Sequence, residues 1–207
     1  MARRLVSGQT VVIASHNRGK VAELEALLGP TGIRVISVGM LGLQEPEETE
    51  PDFAGNARLK ALAAANGSGH PALSDDSGFC VAALGGAPGV LSARWAGPDK
   101  DFASAMARVE ALLVGADEQR AWFTCALSVG WPDGHADTFV GRVDGHVTFP
   151  PRGTLGFGYD PIFVPRGKSL TFGEMPREEK QMVSHRAVAF RQFVAACLPG
   201  FRESKEP

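Results

Sequence analysis

Asp75 and Asp76 stand side by side in the stretch ALSDDSGF, directly after an apolar run. Adjacent carboxylates repel, and aspartate is a poor strand former, so a cation or water is expected beside them. If the pair ends a strand, the two side chains point to opposite faces and can take different tasks. One could ligate a hard divalent cation while the other polarises water or orients a neighbour. Mg²⁺ suits such a place, because it binds through one or two carboxylates plus substrate phosphates and waters. A solvated Asp-Asp-Ser-Gly turn is an equally good local reading.

Four other polar clusters could contribute to the same chemistry. The run SHNRGK comprises Ser15, His16, Asn17, Arg18, Gly19 and Lys20. It follows a β-branched run and precedes a helical pattern, and such a junction aims backbone N–H groups and the positive helix end at an anion. It is not a standard nucleotide P-loop, since Ala14 stands where the first glycine belongs and Val21 follows the lysine. Glu48, Asn56 and Lys60 form a second set, with Asn56 and Lys60 four apart on one helix face. Phe157, Gly158, Tyr159 and Asp160 place glycine among aromatics, as a backbone that approaches something flat, such as a base, would require. Lys180, His185 and Arg186 are expected at or near the start of the last helix. Cations there oppose the helix dipole unless an anion or an electron-rich base edge offsets the cost.

The elements that must position these residues read as α/β. TVVIA (10–14) and IRVISV (33–38) look like strands, with a helix from Val21 to Leu28 between them, stopped by GPTG. An acidic loop with two prolines spans 45–52. A helix follows from about Phe53 to Ala65, capped by Asp52. PALS is a short strand leading into the aspartate pair, and LGGAPGV is a loop. Phe102, Met106, Val109 and Leu113 mark a further helix. The segment 121–147 reads as a meander with turns at Pro132-Asp133-Gly134 and at Asp144-Gly145. IFVP is a late strand. Phe190, Phe193, Val194 and Cys197 share one face of the last helix, and 202–207 reads as a frayed tail. The expectation is a mixed central sheet with flanking helices in a single domain over 1–207.

Composition narrows the partners. The chain of 207 residues has a formal net charge of -2 and is 44% hydrophobic. Phosphate-holding duplex binders usually carry a basic surplus, so nucleic acid is not an expected partner. No apolar run approaches spanning length, so no membrane partner is expected either. The three cysteines, Cys80, Cys125 and Cys197, are widely spaced and read as buried thiols in a reducing compartment, hence a cytoplasmic location. The roles of Trp95, Trp122 and Trp131, core or interface, stay open.

Taken together, SHNRGKVAELEALL, EETEPDFAGNARLKA, LSDDSGF, LGGAPGVLSARWAG, GFGYDPIF and EMPREEKQMVSHRAVAF resemble the inosine triphosphate pyrophosphatase family, the Ham1-like nucleotide hydrolases. The six stretches occur in family order and run from Ser15 to about Phe193. The resemblance implies an elongated, two-lobed fold with a nucleotide cleft between the lobes, and usually a homodimer. It implies Mg²⁺-dependent hydrolysis of ITP, dITP and XTP to the monophosphate and pyrophosphate. By motif, residues 15–20 would cradle the phosphates and Lys60 would contact them. Glu48 and Asp76 would hold the metal, and Asp76 would serve as general base with Asp75 beside it. Ser77 would touch substrate, Phe157 to Asp160 would line the nucleoside pocket, and Lys180, His185 and Arg186 would read the purine edge. The chain departs from the family's frequent residues at Gly55 (often Glu), Ala82 (often acidic) and Gln181 (often Asn). Rival readings are a Maf-type pyrophosphatase for modified pyrimidine nucleotides, a non-catalytic nucleotide sensor, and a single-strand binder stacking bases on Phe157 and Tyr159.

Overall fold

Strands Thr10–Ile13 (β1), Arg34–Ser37 (β2), Ala72–Val81 (β3), Arg120–Gly130 (β4), Ala136–Val147 (β5) and Phe163–Pro165 (β6) form a sheet in the order β2-β1-β3-β4-β5-β6. β1 runs parallel to β2 and β3, whereas β5 and β6 are antiparallel, so the sheet is mixed, as expected. The helices are Arg18–Leu28 (α1), Phe53–Ser68 (α2), the short Ser92–Trp95 (α3), Phe102–Leu112 (α4), Arg177–Val183 (α5) and His185–Cys197 (α6). The computed structural model describes residues 2–198, so the tail expected at 202–207 lies outside the described residues. Among those described, no helix is long and apolar enough to cross a membrane.

The chain divides into two compact units. The first comprises residues up to Asp76, Ala126–Val140 and residues from Ala189 onward. Its α2 presents a buried stripe of Asn56, Ala57, Lys60, Ala61, Ala64 and Ala65. Small residues let the helix approach the sheet closely, with Ala64 and Ala65 packed among Val12, Ala14, Val38 and Ala72. The approach is tight enough that a Cβ on Gly130 of β4 would lie 3.0 Å from the Ala61 carbonyl carbon. The Ser74 hydroxyl of β3 donates to the Ala57 carbonyl, fixing the helix along the strand.

The second unit comprises Ser77–Cys125 and Gly141–Val188. Its core is aromatic: Phe79, Phe123, Tyr159, Phe163 and Phe172 are buried with Val109, Ile162 and Met175 around them. Phe79 stacks on Tyr159 at 5.2 Å, and Phe123 meets Phe163 edge-on at 5.0 Å, arrangements that suit the ring quadrupole. Trp131, in the first unit, is buried; Trp95 and Trp122, in the second, are half-buried with Arg108 and Arg142 over their faces at 4.0 and 4.2 Å.

Several sequence expectations change. β3 does not end at the aspartate pair but runs through it for ten residues. α1 starts at Arg18, three residues earlier than its apolar spacing indicates, because Asn17 caps it. α2 extends to Ser68 and stops at Gly69, whose φ of 70° suits a residue without Cβ. Asp144-Gly145 is not a turn, since β5 continues straight through it. Gly145 pairs with Pro165 of β6, and a Cβ there would collide with the Val164 carbonyl oxygen. The glycine serves close approach rather than chain reversal. Lys180 belongs to α5, in its last turn, where a cation favours the dipole. Only His185 and Arg186 open α6.

Candidate active site

In the first unit, strand alternation separates the two aspartates. Successive side chains of β3 face opposite sides of the sheet. Ser74 and Asp76 therefore share the face that α2 covers, and Asp75 faces the other way. Each carboxylate meets its own lysine. Lys60 of α2 places Nζ 2.8 Å from Asp76 Oδ1 and 2.7 Å from Glu48 Oε1. Lys20 of α1 places Nζ 2.9 Å from Asp75 Oδ1 and 3.2 Å from the Asp75 carbonyl oxygen. The side chain of Asp75 is wholly buried and that of Asp76 is 8% exposed, so the repulsion is met by two ammonium groups inside the protein.

The charges tune one another. Burial pushes the Asp76 carboxyl above its ordinary value, with Glu48 adding to the rise, and the pull of Lys60 and Lys20 does not cancel it. Burial also acts to raise Glu48, but the Lys60 hydrogen bond and charge, helped by Asp76 and Lys20, leave it below the usual range. For Lys60, desolvation is outweighed by Asp76 and Glu48, and its ammonium is held above the ordinary value. The three groups form a set in which Lys60 stays charged and Asp76 is the carboxyl more ready to take a proton.

The loop bearing Glu48 is tethered to α2. Asn56 is buried, its Oδ1 accepting from the Glu50 amide at 3.0 Å and its Nδ2 donating to the Glu50 carbonyl at 3.1 Å. Gly55, one of the departures from the resembled family, leaves room that Glu50 fills: a Cβ there would lie 2.6 Å from Glu50 Cβ. Asp52 caps the helix through the Gly55 amide at 2.8 Å, as its position in the sequence indicates.

These groups could hold a hard metal ion. Asp76 Oδ2 is buried with no hydrogen-bond partner among the described residues, a state that costs roughly 1–3 kcal/mol if nothing binds it. No group of three or more His, Cys, Asp or Glu side chains converges among the described residues. Glu48 and Asp76 offer two carboxylates, a donor set that suits a hard ion keeping most of its waters.

The SHNRGK segment joins this set through the Lys20–Asp75 ion pair, and its other residues build the start of α1. Asn17 Oδ1 accepts from the amides of Gly19 and Lys20 at 3.0 and 3.3 Å, and Ser15 Oγ accepts from the Asn17 amide at 3.1 Å. Two of the amides at the helix start are thus capped by the Asn17 side chain. His16 is exposed, its Nδ1 3.5 Å from Glu45. An asparagine just before a helix is the signal for this cap, and apolar periodicity alone overlooks it.

The second unit holds the aromatic and cationic set. Asp160 Oδ2 accepts from Lys180 Nζ at 2.7 Å and from the Phe157 amide at 2.8 Å. Gly156, at φ 73°, has no room for a Cβ, which would strike that same oxygen. Lys180 Nζ lies 5.0 Å from the Phe157 ring centre and Arg186 Cζ lies 6.0 Å from it, both within cation–π range. Arg186 is buried and donates to Ser77 Oγ at 3.2 Å. His185 stacks on Phe123 at 4.8 Å, a contact between distant segments that no local pattern announces. Tyr159 is turned into the core: its ring packs on Phe79 and Phe102, and its hydroxyl donates to the Ser92 carbonyl at 3.0 Å. Half-buried Phe157 and Gly158 remain as the accessible part of that loop.

Comparison with known proteins gives a consistent picture. The sequence model of the Ham1 family matches residues 11–196. A protein of Caulobacter vibrioides named dITP/XTP pyrophosphatase is 58% identical over 191 residues, covering 91% of this chain and 98% of the relative. One of the same name from Gluconobacter oxydans is 54% identical, with coverage of 96% and 95%. A solved HAM1 protein from Coxiella burnetii superposes with a TM-score of 0.82 at 37% identity, covering 90% of this chain and 97% of that one.

Proposed function

The chain belongs to the Ham1 family, and from that premise we propose that it hydrolyses deaminated purine nucleoside triphosphates (ITP, dITP and XTP) to the monophosphate and pyrophosphate, with Mg²⁺. The observation that carries this reading is the Glu48–Lys60–Asp76 set, in which an unpartnered buried carboxylate oxygen sits beside a fixed ammonium. A triphosphate carries about four negative charges, so catalysis is mainly positioning and electrostatic stabilisation.

Glu48 and Asp76 would hold the metal, which when bound draws charge from the phosphate oxygens. Asp76, with its raised proton affinity, orients and deprotonates the attacking water. Lys60 and Lys20 place positive charge where the pyrophosphate leaves, and Arg18 adds to it. Asp75 keeps Lys20 in place. In the second unit Phe157 offers a face for the base, steadied by Lys180 and Arg186, with Gly158, His185 and Ser77 beside them. Arg186 can only donate hydrogen bonds, which suits the 6-oxo group of hypoxanthine and xanthine and opposes the 6-amino group of adenine. Guanine shares the 6-oxo group, so its exclusion needs a further contact near its 2-amino group. Tyr159 and Asp160 act as supports of this loop. The same resemblance favours a homodimer in the cytoplasm.

Turnover of a triphosphate panel with Mg²⁺ tests the reading. ITP and XTP should give monophosphate and pyrophosphate at least about tenfold faster than ATP, the discrimination expected when one buried donor is left facing a donor. Release of inorganic phosphate and a diphosphate, preference for pyrimidines, or binding without turnover would replace it with another activity.

A further inference from the structure

We infer that Asn56 is a positioning residue that sets Glu48 against Lys60 by clamping the main chain of Glu50. The inference rests on the reading of Glu48 given above. Asn56 and Lys60 lie one turn apart on the buried stripe of α2, so about 6 Å of helix separates them. Glu50 and Glu48 are two residues apart, and two residues of chain reach at most about 7 Å. The two spans match. Asn56 grips Glu50 by both its amide and its carbonyl, while Lys60 grips the Glu48 carboxylate at 2.7 Å. The loop is therefore laid antiparallel along the helix in one register.

Gly55 contributes the third contact. Without a Cβ it lets the Glu50 side chain lie over the helix, with Cβ and Cγ 2.6 and 2.9 Å from where a methyl would stand. The backbone of the segment 44–49 forms no regular element. An asparagine buried to this degree with both functions turned on the main chain of one residue acts as a fixed template, because each unmade bond would strand a buried polar group. Loss of the clamp lets Glu48 wander from Lys60 and Asp76 without touching either.

The test uses hydrogen exchange and a double-mutant cycle. In the metal-free, substrate-free protein, Asn56→Ala should speed exchange of the Glu50 amide at least about tenfold and leave β4 unchanged. It should lower kcat/KM about tenfold in the parent but less than about twofold in a Glu48→Gln background, since a residue acting through Glu48 has nothing left to act on. Equal losses in both backgrounds, or unaltered exchange, would overturn the inference. If Asn56→Ala does not fold, Gly55→Ala serves. Gly55 is the third residue of α2 and its φ is not positive, so that variant should stay folded, displace Glu50 and show the same background-dependent loss. A parent that turns over no triphosphate would sink the proposed function, and the exchange result alone would then decide the role of Asn56.

Discussion

Lys60 satisfies two carboxylates at once, and removing it leaves the buried Asp76 carboxylate short of a partner, which typically costs about 3–5 kcal/mol. Their separation along the chain, 48, 60 and 76, hides the set from any local reading of the sequence, although the residue types hint at it. Tyr159 behaves in the opposite way. Its neighbours in sequence indicate a ligand-lining role, and its contacts make it core. Burial pushes its phenol up to about 12 from the ordinary value of 10.0, with Arg108 only partly opposing. A phenol whose folded pKa is raised holds its proton longer than the unfolded chain does. Stability is therefore full below pH 10 and falls as pH rises from 10 toward 12, by roughly 3 kcal/mol in all. Tyr159 is the single tyrosine of the chain, so phenolate absorbance reports it alone. Its titration should coincide with alkaline unfolding; a phenolate forming near pH 10 in folded protein would contradict the burial argument.

At the scale of elements, Gly145 is the sharpest case of one signal with two meanings. Asp-Gly marks a hairpin turn in many sequences, yet here β5 carries it through to pair with β6. A Gly145→Ala methyl would meet the Val164 carbonyl oxygen and lie 2.8 Å from the edge of the Phe163 ring. We expect a loss of about 1–3 kcal/mol, seen as a fall in Tm of about 2–4 °C for each kcal/mol. An unchanged Tm would mean that the two strands separate without cost. The mixed α/β class, the cap at Asp52 and the Asn56–Lys60 face were legible because each rests on short-range spacing. The full length of β3 was not. Aspartate disfavours strands by propensity, and only the lysines of two different helices make two aspartates tolerable inside one. The break between α5 and α6 was not legible either, because Ser184, where the backbone turns extended, is neither glycine nor proline.

At the scale of the whole molecule, the chemistry divides between two sets of side chains. The acidic and lysine set lies in the first unit, and the aromatic and cationic set in the second, with Asp76 and Ser77 the adjoining residues of β3 that belong to each. A division of labour follows. Damage to the first set should slow every triphosphate alike, whereas damage to the second should change which base is preferred. Asp76→Asn is the most direct trial, because it preserves shape and one hydrogen bond to Lys60 while removing the charge that would activate water. The measurement is pyrophosphate release from ITP and ATP by the parent and by this variant, in Mg²⁺. A loss of about 10²–10⁴ in rate on both substrates, with the ratio between them kept, is the result predicted. Parental turnover of ITP by folded Asp76→Asn would contradict the assignment of Asp76 to the reaction.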